Sequence, residues 1–405
     1  MTAVGETDFD PVAFLEAAVR TPSHESVAEM RDLVVETLGR FGVDGEVVAG
    51  GCVVAEKRST EPAAGPHLAL NTHLDTVTPH VPFERGPATS TERGDAGAEV
   101  VRGRGACDAK GPLAALVAGF LAAEPARGRL TLALTPDEEA LSLGAAALTG
   151  QLSEPDDRLD ADLFLVGEPT GLDACSAAKG RFQATVELAG TTAHAAEFAG
   201  ANAVAAAEHA LAAVRTFDDD ADAHPELGPP KLTPTVIDGG AATNQVPADC
   251  EITVDRRSVP PETAAGFRSS LATAVRESVP TASGVAVDVS LTDRESPFLA
   301  AFATDPDHDL VRTVADAARE ACASVGLPAG RGGGVRPFGA ATEASYFTPA
   351  PTVVFGPGDL ADETGAVAHA EREYVATREV TAAADAVERT VDALLGDPDA
   401  TANGG

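Results

Sequence analysis

Apolar residues recur at three- and four-residue spacing over 10–20 and 27–40, which predicts two amphipathic helices near the start of the chain. The pattern then changes to short, nearly unbroken apolar runs at 67–71 (HLALN), 129–135 (RLTLALT), 162–167 (DLFLVG) and 351–356 (PTVVFG). Runs of that length predict buried strands. Helical spacing returns over 111–124 (GPLAALVAGFLAAE), 307–326 and 371–396. Strands that alternate with helices predict an α/β fold, with a mostly parallel sheet flanked by helices on both faces.

The middle of the chain follows another rhythm. Residues 181–189 (RFQATVELA) alternate as a half-buried strand does, and 202–217 are spaced as a helix. Two strands follow at 232–237 and 249–257, then a helix over 261–279 after Pro260–Pro261, then alternation again over 285–292. This β-α-β-β-α-β order is the split, ferredoxin-like α+β pattern of a small domain of its own. The expected organisation is one α/β domain, 1–178 and 297–405, interrupted by an inserted domain at 179–296. Hinges are expected near 178–180 and 294–298; the acidic loop 217–226 and the tail 397–405 read as solvated, and 84–100 as a long, acidic loop.

Composition sharpens this picture. A chain of 405 residues suits two domains better than one. Hydrophobic residues make up 44%, enough for a sizeable core, but aromatics are only 4% and Trp is absent, so Ala and Val fill much of the interior. The net charge of −34 repels phosphate backbones and argues against nucleic acid as a partner. Interleaved with periodic apolar residues, the acids read as the coat of a folded protein in a salt-rich cytoplasm, where ions screen the self-repulsion. Five scattered cysteines without a CxxC argue against a disulfide framework or a thiolate zinc site. The N-terminus has no signal-peptide pattern and no run of 18 apolar residues exists, so a cytoplasmic chain with no membrane partner is expected.

Four polar segments end or follow the predicted strands: Asn71-Thr-His73-Leu-Asp75, Gly103-Arg-Gly-Ala-Cys-Asp108-Ala-Lys-Gly111, Thr135-Pro-Asp-Glu138-Glu139 and Gly167-Glu168-Pro-Thr170. Ligands of open α/β sheets bind at the carboxyl ends of strands, so all four segments reach towards one crevice. His and carboxylate donors without Cys suit zinc or a similar divalent ion. In His73-x-Asp75 the acid is placed to accept the second ring N–H. Of two adjacent glutamates, one can bind metal while the other takes a proton. A lone Asp in a Gly-rich turn suits the bridge between two metals about 3.5–4 Å apart. Taken singly each motif is common; their order at successive strand ends carries the inference.

That order resembles a known family. His73-Leu-Asp75, Gly103–Gly111, Asp137-Glu138-Glu139 and Gly167–Thr170 are similar to motifs of the dinuclear zinc metallopeptidases that include acetylornithine deacetylase, succinyl-diaminopimelate desuccinylase and carboxypeptidase G. The resemblance continues through Lys179-Gly-Arg181, Gly190-Thr-Thr-Ala-His194, Gly239-Gly-Ala-Ala-Thr-Asn244-Gln-Val-Pro247, Asp255-Arg-Arg257, Phe355-Gly-Pro-Gly358 and His369-Ala-Glu-Arg-Glu373-Tyr. It departs where Ala109 replaces the usual Met and where TVTPH follows His73-Leu-Asp75.

The resemblance implies a two-metal hydrolase of linear amide bonds, zinc first, with cobalt or manganese also suited. His73 and Glu168 would bind one ion, Glu139 and His369 the other, with Asp108 as the bridge and Asp75 orienting His73. Glu138 would be the general base and acid, and His194 would hold the oxyanion. Asn244 and Arg257 would hold the substrate, with Arg256 competing for that role. The inserted domain would be a lid that forms a homodimer and supplies its histidine across the interface. The implied reaction is hydrolysis of an N-acyl amino acid in amino-acid biosynthesis, as in acetylornithine deacetylase. The alternatives are a desuccinylase, a dipeptidase or carboxypeptidase, or a catalytically silent binding protein. Ala341-Thr-Glu343-Ala is similar to the Thr-Glu-Ala of acetylornithine deacetylases, so Glu343 would attract a basic side chain unless it supports His369 or closes a buried ion pair. With no evident cation for a second carboxylate, N-acetylornithine is expected over a succinylated substrate.

Overall fold

A computed structural model describes residues 8–92, 98–152 and 158–397. The chain divides into two compact units: one from 1–177, 303–339 and 346–405, the other from 178–302 with 340–345.

The first unit is an α/β fold around a mixed sheet. Its strands run in the order Glu46–Val47, Val53–Arg58, Arg129–Thr135, His67–His73, Leu163–Gly167, Thr352–Phe355 and Ala174–Ala178. The central four, Arg129–Thr135 to Thr352–Phe355, are mutually parallel, whereas Val53–Arg58 and Ala174–Ala178 run against their neighbours. Alternation along Arg129–Thr135 sorts the two faces. Leu130, Leu132 and Leu134 join the main core with the helices Pro11–Arg20, Ala28–Arg40, Lys110–Ala122, Asp309–Ser324 and Thr377–Leu395. Ala133 points the other way, into a smaller core with Cys52 and Leu148 of the short helix Leu143–Leu148. The Lys110–Ala122 helix is buried almost all round, as a helix clasped by other helices must be.

Several segments differ from the sequence reading. The acidic stretch 84–100 is not simply a loop: Glu84–Pro87 and Glu99–Arg102 pair antiparallel, and Tyr374–Ala376 adds a third strand. The last helix therefore starts at Thr377 rather than 371, because pairing with Glu99–Arg102 overrides the helical spacing of the first residues. The strands Glu46–Val47 and Val53–Arg58 escaped the reading, since charged residues at a sheet edge blur the apolar signal.

The second unit carries a four-stranded antiparallel sheet, ordered Lys231–Gly239, Asp249–Ser258, Gly180–Ala189, Ala286–Leu291. Phe182, Ala184, Val186, Leu188, Ile252 and Val254 point to one face and pack on the helices Ala203–Thr216 and Ala264–Ser278. The second helix starts at Ala264 rather than at Pro261, because the Thr263 side chain accepts the Gly266 N–H as its cap.

Among the described residues, no helix is long and apolar enough to cross a membrane. All five cysteines are free and buried.

Candidate active site

The parallel strands deliver their polar ends to one place. His73 is the last residue of its strand, Glu138 and Glu139 follow the strand ending at Thr135, and Glu168 follows Gly167. Asp108 stands in the Gly-rich turn before the Lys110–Ala122 helix. His73 Nε2 lies 3.3 Å from Asp108 Oδ1, and His369 Nε2 lies 3.2 Å from Asp108 Oδ2. One buried carboxylate thus faces two different imidazoles through its two oxygens. His369 Nε2 also lies 2.8 Å from Glu139 Oε1. Ligand atoms of His73, Asp108 and Glu139 all lie within 4.8 Å of one another. Glu168 is buried, and its charge acts on His73.

Asp75 does more than the sequence suggested. The His73 Nδ1 meets the Asp75 carbonyl at 3.0 Å and its carboxylate at 3.3 Å. The same carboxylate accepts the backbone N–H of Glu138 at 3.0 Å and of Glu139 at 3.1 Å. A single side chain therefore sets both the imidazole and the pair of glutamates. Asp137 is a structural acid: its oxygens accept the N–H groups of Leu143 and Gly144.

The electrostatics call for cations. Burial alone would lower the His73 pKa, but Asp108 and Asp75 outweigh it and hold the imidazole well above its ordinary value. Hydrogen bonds to Asp108 and Glu139 raise His369 to about 10. Burial would raise Asp108, yet the two imidazoles hold it well below the usual carboxylate range. A cluster of Asp75, Asp108, Glu139 and Glu168 that draws protons onto both histidines is one in which positive charge is stabilising. Oxygen and imidazole donors, with no sulfur, fit borderline divalent ions, and Asp108 has the shape of a bridge. Backbone strain marks the place as well: His369 sits at φ 64°, a left-handed conformation that costs a residue with a side chain free energy.

Sequence reasoning missed what holds these loops. Glu373 accepts the N–H groups of Cys107 at 3.1 Å and Asp108 at 3.0 Å. Its other oxygen takes Arg104 Nη1 at 2.6 Å. Arg104 also donates to the carbonyls of Pro79, Ala370 and His369. Both side chains are buried, so one ion pair joins the Asp108 turn to the His369 turn. Both residues lie in the quoted motifs, but no local spacing shows that they meet.

The remaining predicted residues belong to the second unit. The His194 and Asn244 segments are adjacent: Ala195 N–H donates to the Asn244 carbonyl, and His194 bridges Gln245. Arg256 and Arg257 alternate across the sheet. Arg256 is buried, gripped by Glu262 through Nε and Nη2 and by Asp218 through Nη1. Arg257 lies on the open face, with its Nε on Asp255 at 2.8 Å and the side chain 40% exposed. Glu343 is buried at 1% exposure.

A fold that gathers imidazole and carboxylate donors suited to a divalent ion at the ends of its parallel strands fits a metal-dependent hydrolase class. The chain belongs to peptidase family M20/M25/M40, whose model matches residues 69–393. A putative [LysW]-lysine/[LysW]-ornithine hydrolase of Pyrobaculum aerophilum is 35% identical over 244 residues, 60% of this chain and 64% of that protein. An acetylornithine deacetylase of Myxococcus xanthus is 32% identical over 310 residues, 72% of each chain. A succinyl-diaminopimelate desuccinylase of Granulibacter bethesdensis is 27% identical, covering 96% of this chain and 98% of its own. Among solved structures, aminopeptidase PepT from Bacillus cereus superposes with a TM-score of 0.71 at 19% identity, over 95% of this chain and 98% of that one. The chain is a metallohydrolase with the fold of this family.

Proposed function

We propose that this hydrolase cleaves the amide bond of an N-acyl amino acid, releasing a carboxylate and a free amino acid. The observation that carries this reading is Asp108, buried, with one oxygen towards His73 and the other towards His369. His73 and Glu168 would hold one divalent ion, Glu139 and His369 the second, and Asp108 both, with zinc the first expectation and cobalt or manganese suited to the same donors. Such ions lower the pKa of water towards 7 and polarise a carbonyl. Glu138, its backbone pinned by Asp75, takes the proton of the attacking water and returns it to the leaving amine. Arg257 offers the fork that suits a substrate carboxylate, which the buried, fully engaged Arg256 does not. Glu343 faces a basic side chain in this reading, and acetylornithine deacetylase is the relative whose chemistry it follows.

The inserted unit 179–296 acts as the lid and as a dimer interface. Arg257 lies near one end of the strand Asp249–Ser258, while His194 and Asn244 adjoin its other end, roughly 26 Å away at about 3.3 Å per residue. One small substrate cannot touch both within a single subunit, so a second copy supplies His194 and Asn244. Val236 and Ile237 on the edge strand, with Phe198 and Val204, are exposed apolar residues suited to covering by that copy.

Zinc-reconstituted protein offered N-acyl amino acids and dipeptides tests the reading. Turnover of dipeptides alone would make it a peptidase, and no turnover of either a binding protein. The acidic coat is adapted to high salt in the cytoplasm; unfolding midpoints that do not rise with KCl would remove that part.

A further inference from the structure

Glu168 is carried by a turn whose backbone is strained. Gly171 and Leu172 in that turn both stand at φ 67°, and a leucine seldom adopts this left-handed conformation. Such a conformation persists only where its surroundings over-determine it. Here they do. Glu168 N–H donates to Phe355 O at 3.3 Å, Leu172 N–H to Gly356 O at 2.9 Å and Gly171 N–H to Gly358 O at 2.6 Å. Thr170 Oγ1 donates to Gly356 O at 3.2 Å and accepts the Gly356 N–H at 3.1 Å. The turn is thus bound along its length to residues 355–358, which end and follow the neighbouring parallel strand.

That segment is itself anchored by an ion triad. Arg331 gives Nη1 and Nη2 to the two oxygens of Asp359, at 3.0 and 2.7 Å, and Nε to Glu379 Oε1 at 2.8 Å. The other Glu379 oxygen accepts the Gly358 N–H at 3.0 Å. Gly358 is therefore fixed twice, by Glu379 through its N–H and by Gly171 through its carbonyl. Contact is close. A Cβ on Gly171 would lie 2.7 Å from both Arg331 Nη1 and Asp359 Oδ1, so the Glu168 turn rests directly on the ion pair. The loop that carries Arg331 is tied to the strained leucine as well, since Gly333 N–H donates to Leu172 O at 2.8 Å. The Arg331, Asp359 and Glu379 side chains are largely buried, at 14%, 17% and 8% exposure, and none is a proposed metal ligand.

We propose that Arg331 is a positioning residue for the metal centre: through Asp359 and Glu379 it locks residues 355–359 against the Glu168 turn and so holds Glu168 at one of the two ions. The inference rests on the two-ion reading above and adds a residue that lies outside every motif quoted for it. A guanidinium suits the task because its donors lie in one plane and engage two carboxylates at fixed angles, whereas an ammonium supplies a point charge. Asp108 and His369 have a different support, the Arg104–Glu373 pair. A weak S–H donor, Cys107, touches the Asp359 carbonyl at 3.2 Å, but the Asp108 amide itself is held by Glu373. Loss of Arg331 therefore falls on the ion bound by His73 and Glu168.

Zinc binding to the full chain is read by chelator competition and elemental analysis at one fixed KCl concentration, on proteins shown to be folded by circular dichroism. The parent should bind two ions. Arg331→Lys should keep one at parent affinity and lose at least about tenfold on the other, the size of effect that residues behind a metal ligand exert. In a Glu168→Gln background the same substitution should change zinc affinity by less than about twofold, because residues that act through one group are not additive. Equal weakening of both ions, full affinity for both, or a further tenfold loss in the Glu168→Gln background would overturn the positioning role. Asp359→Asn keeps the volume of the pair and removes its charge. It should reproduce the selective loss, and it decides the question if Arg331→Lys does not fold. A parent that binds fewer than two ions refutes the two-ion reading, and the role of Arg331 with it.

Discussion

Glu373→Ala removes a side chain that is not itself a proposed metal ligand, yet it should damage both stability and metal binding. In the native protein the carboxylate holds the buried Arg104 at 2.6 Å and accepts the Cys107 and Asp108 N–H groups. Burial and the neighbouring Asp108 charge push the Glu373 carboxyl up, and the Asp108 amide and the Arg104 guanidinium oppose that push. Taking one partner from a buried ion pair costs about 3–5 kcal/mol, because the other charge stays buried and uncompensated. The orphaned amides fall within that figure rather than adding to it, since they share the same group. For a unit of this size, about 2 °C per kcal/mol gives a fall of roughly 6–10 °C in Tm, read by calorimetry on the zinc-loaded protein. Loss of the anchor under Asp108 should also weaken zinc by about 10–100-fold, read by chelator competition. Arg104→Met combined with Glu373→Leu separates the two effects. Apolar packing should restore much of the Tm but not the zinc affinity, because the Cys107 and Asp108 amides still lack an acceptor. A single Glu373→Ala variant within about 2 °C of the parent, with unchanged zinc affinity, would refute the linkage between the two turns.

Glu138→Gln keeps volume but cannot accept a proton, so kcat should fall by at least about 10²-fold with metal content unchanged in elemental analysis. If, as proposed, His194 acts across a dimer, His194→Ala and Glu138→Gln proteins should each be nearly inactive, and mixing them under verified subunit exchange should recover activity, since a hybrid dimer would hold one complete site; no recovery would place the site within one chain. Burial lowers the His67 pKa, while Asp160 O and Thr131 Oγ1 satisfy its ring. The folded state therefore binds that proton less readily than the unfolded chain. The stability due to neutral His67 should be full above about pH 6.5 and fall as pH drops below it. His67→Gln should flatten the decline in Tm between pH 7.5 and 5.5, and an unchanged slope would contradict the assignment.

Much of this protein was legible in local pattern. The apolar runs at 67–71, 129–135, 162–167 and 351–356 are strands of one sheet in the structure, because a buried strand needs apolar residues on both faces and short apolar runs have few other solutions. The placement of His73, Glu138, Glu139 and Glu168 followed from the same pattern, since each lies at or just beyond a strand end. Tertiary structure decided what depends on partners distant in sequence. Arg104 and Glu373 meet across 269 residues, and neither carries a local sign of the other. Tyr374–Ala376 became strand because Glu99–Arg102 offered it a ladder. Arg256 and Arg257 are neighbours in sequence, but the parity of a pleated strand sends one into Glu262 and Asp218 and the other to the open face beside Arg181 and Lys231. Alternation states that they differ; only the register of the folded sheet says which is which.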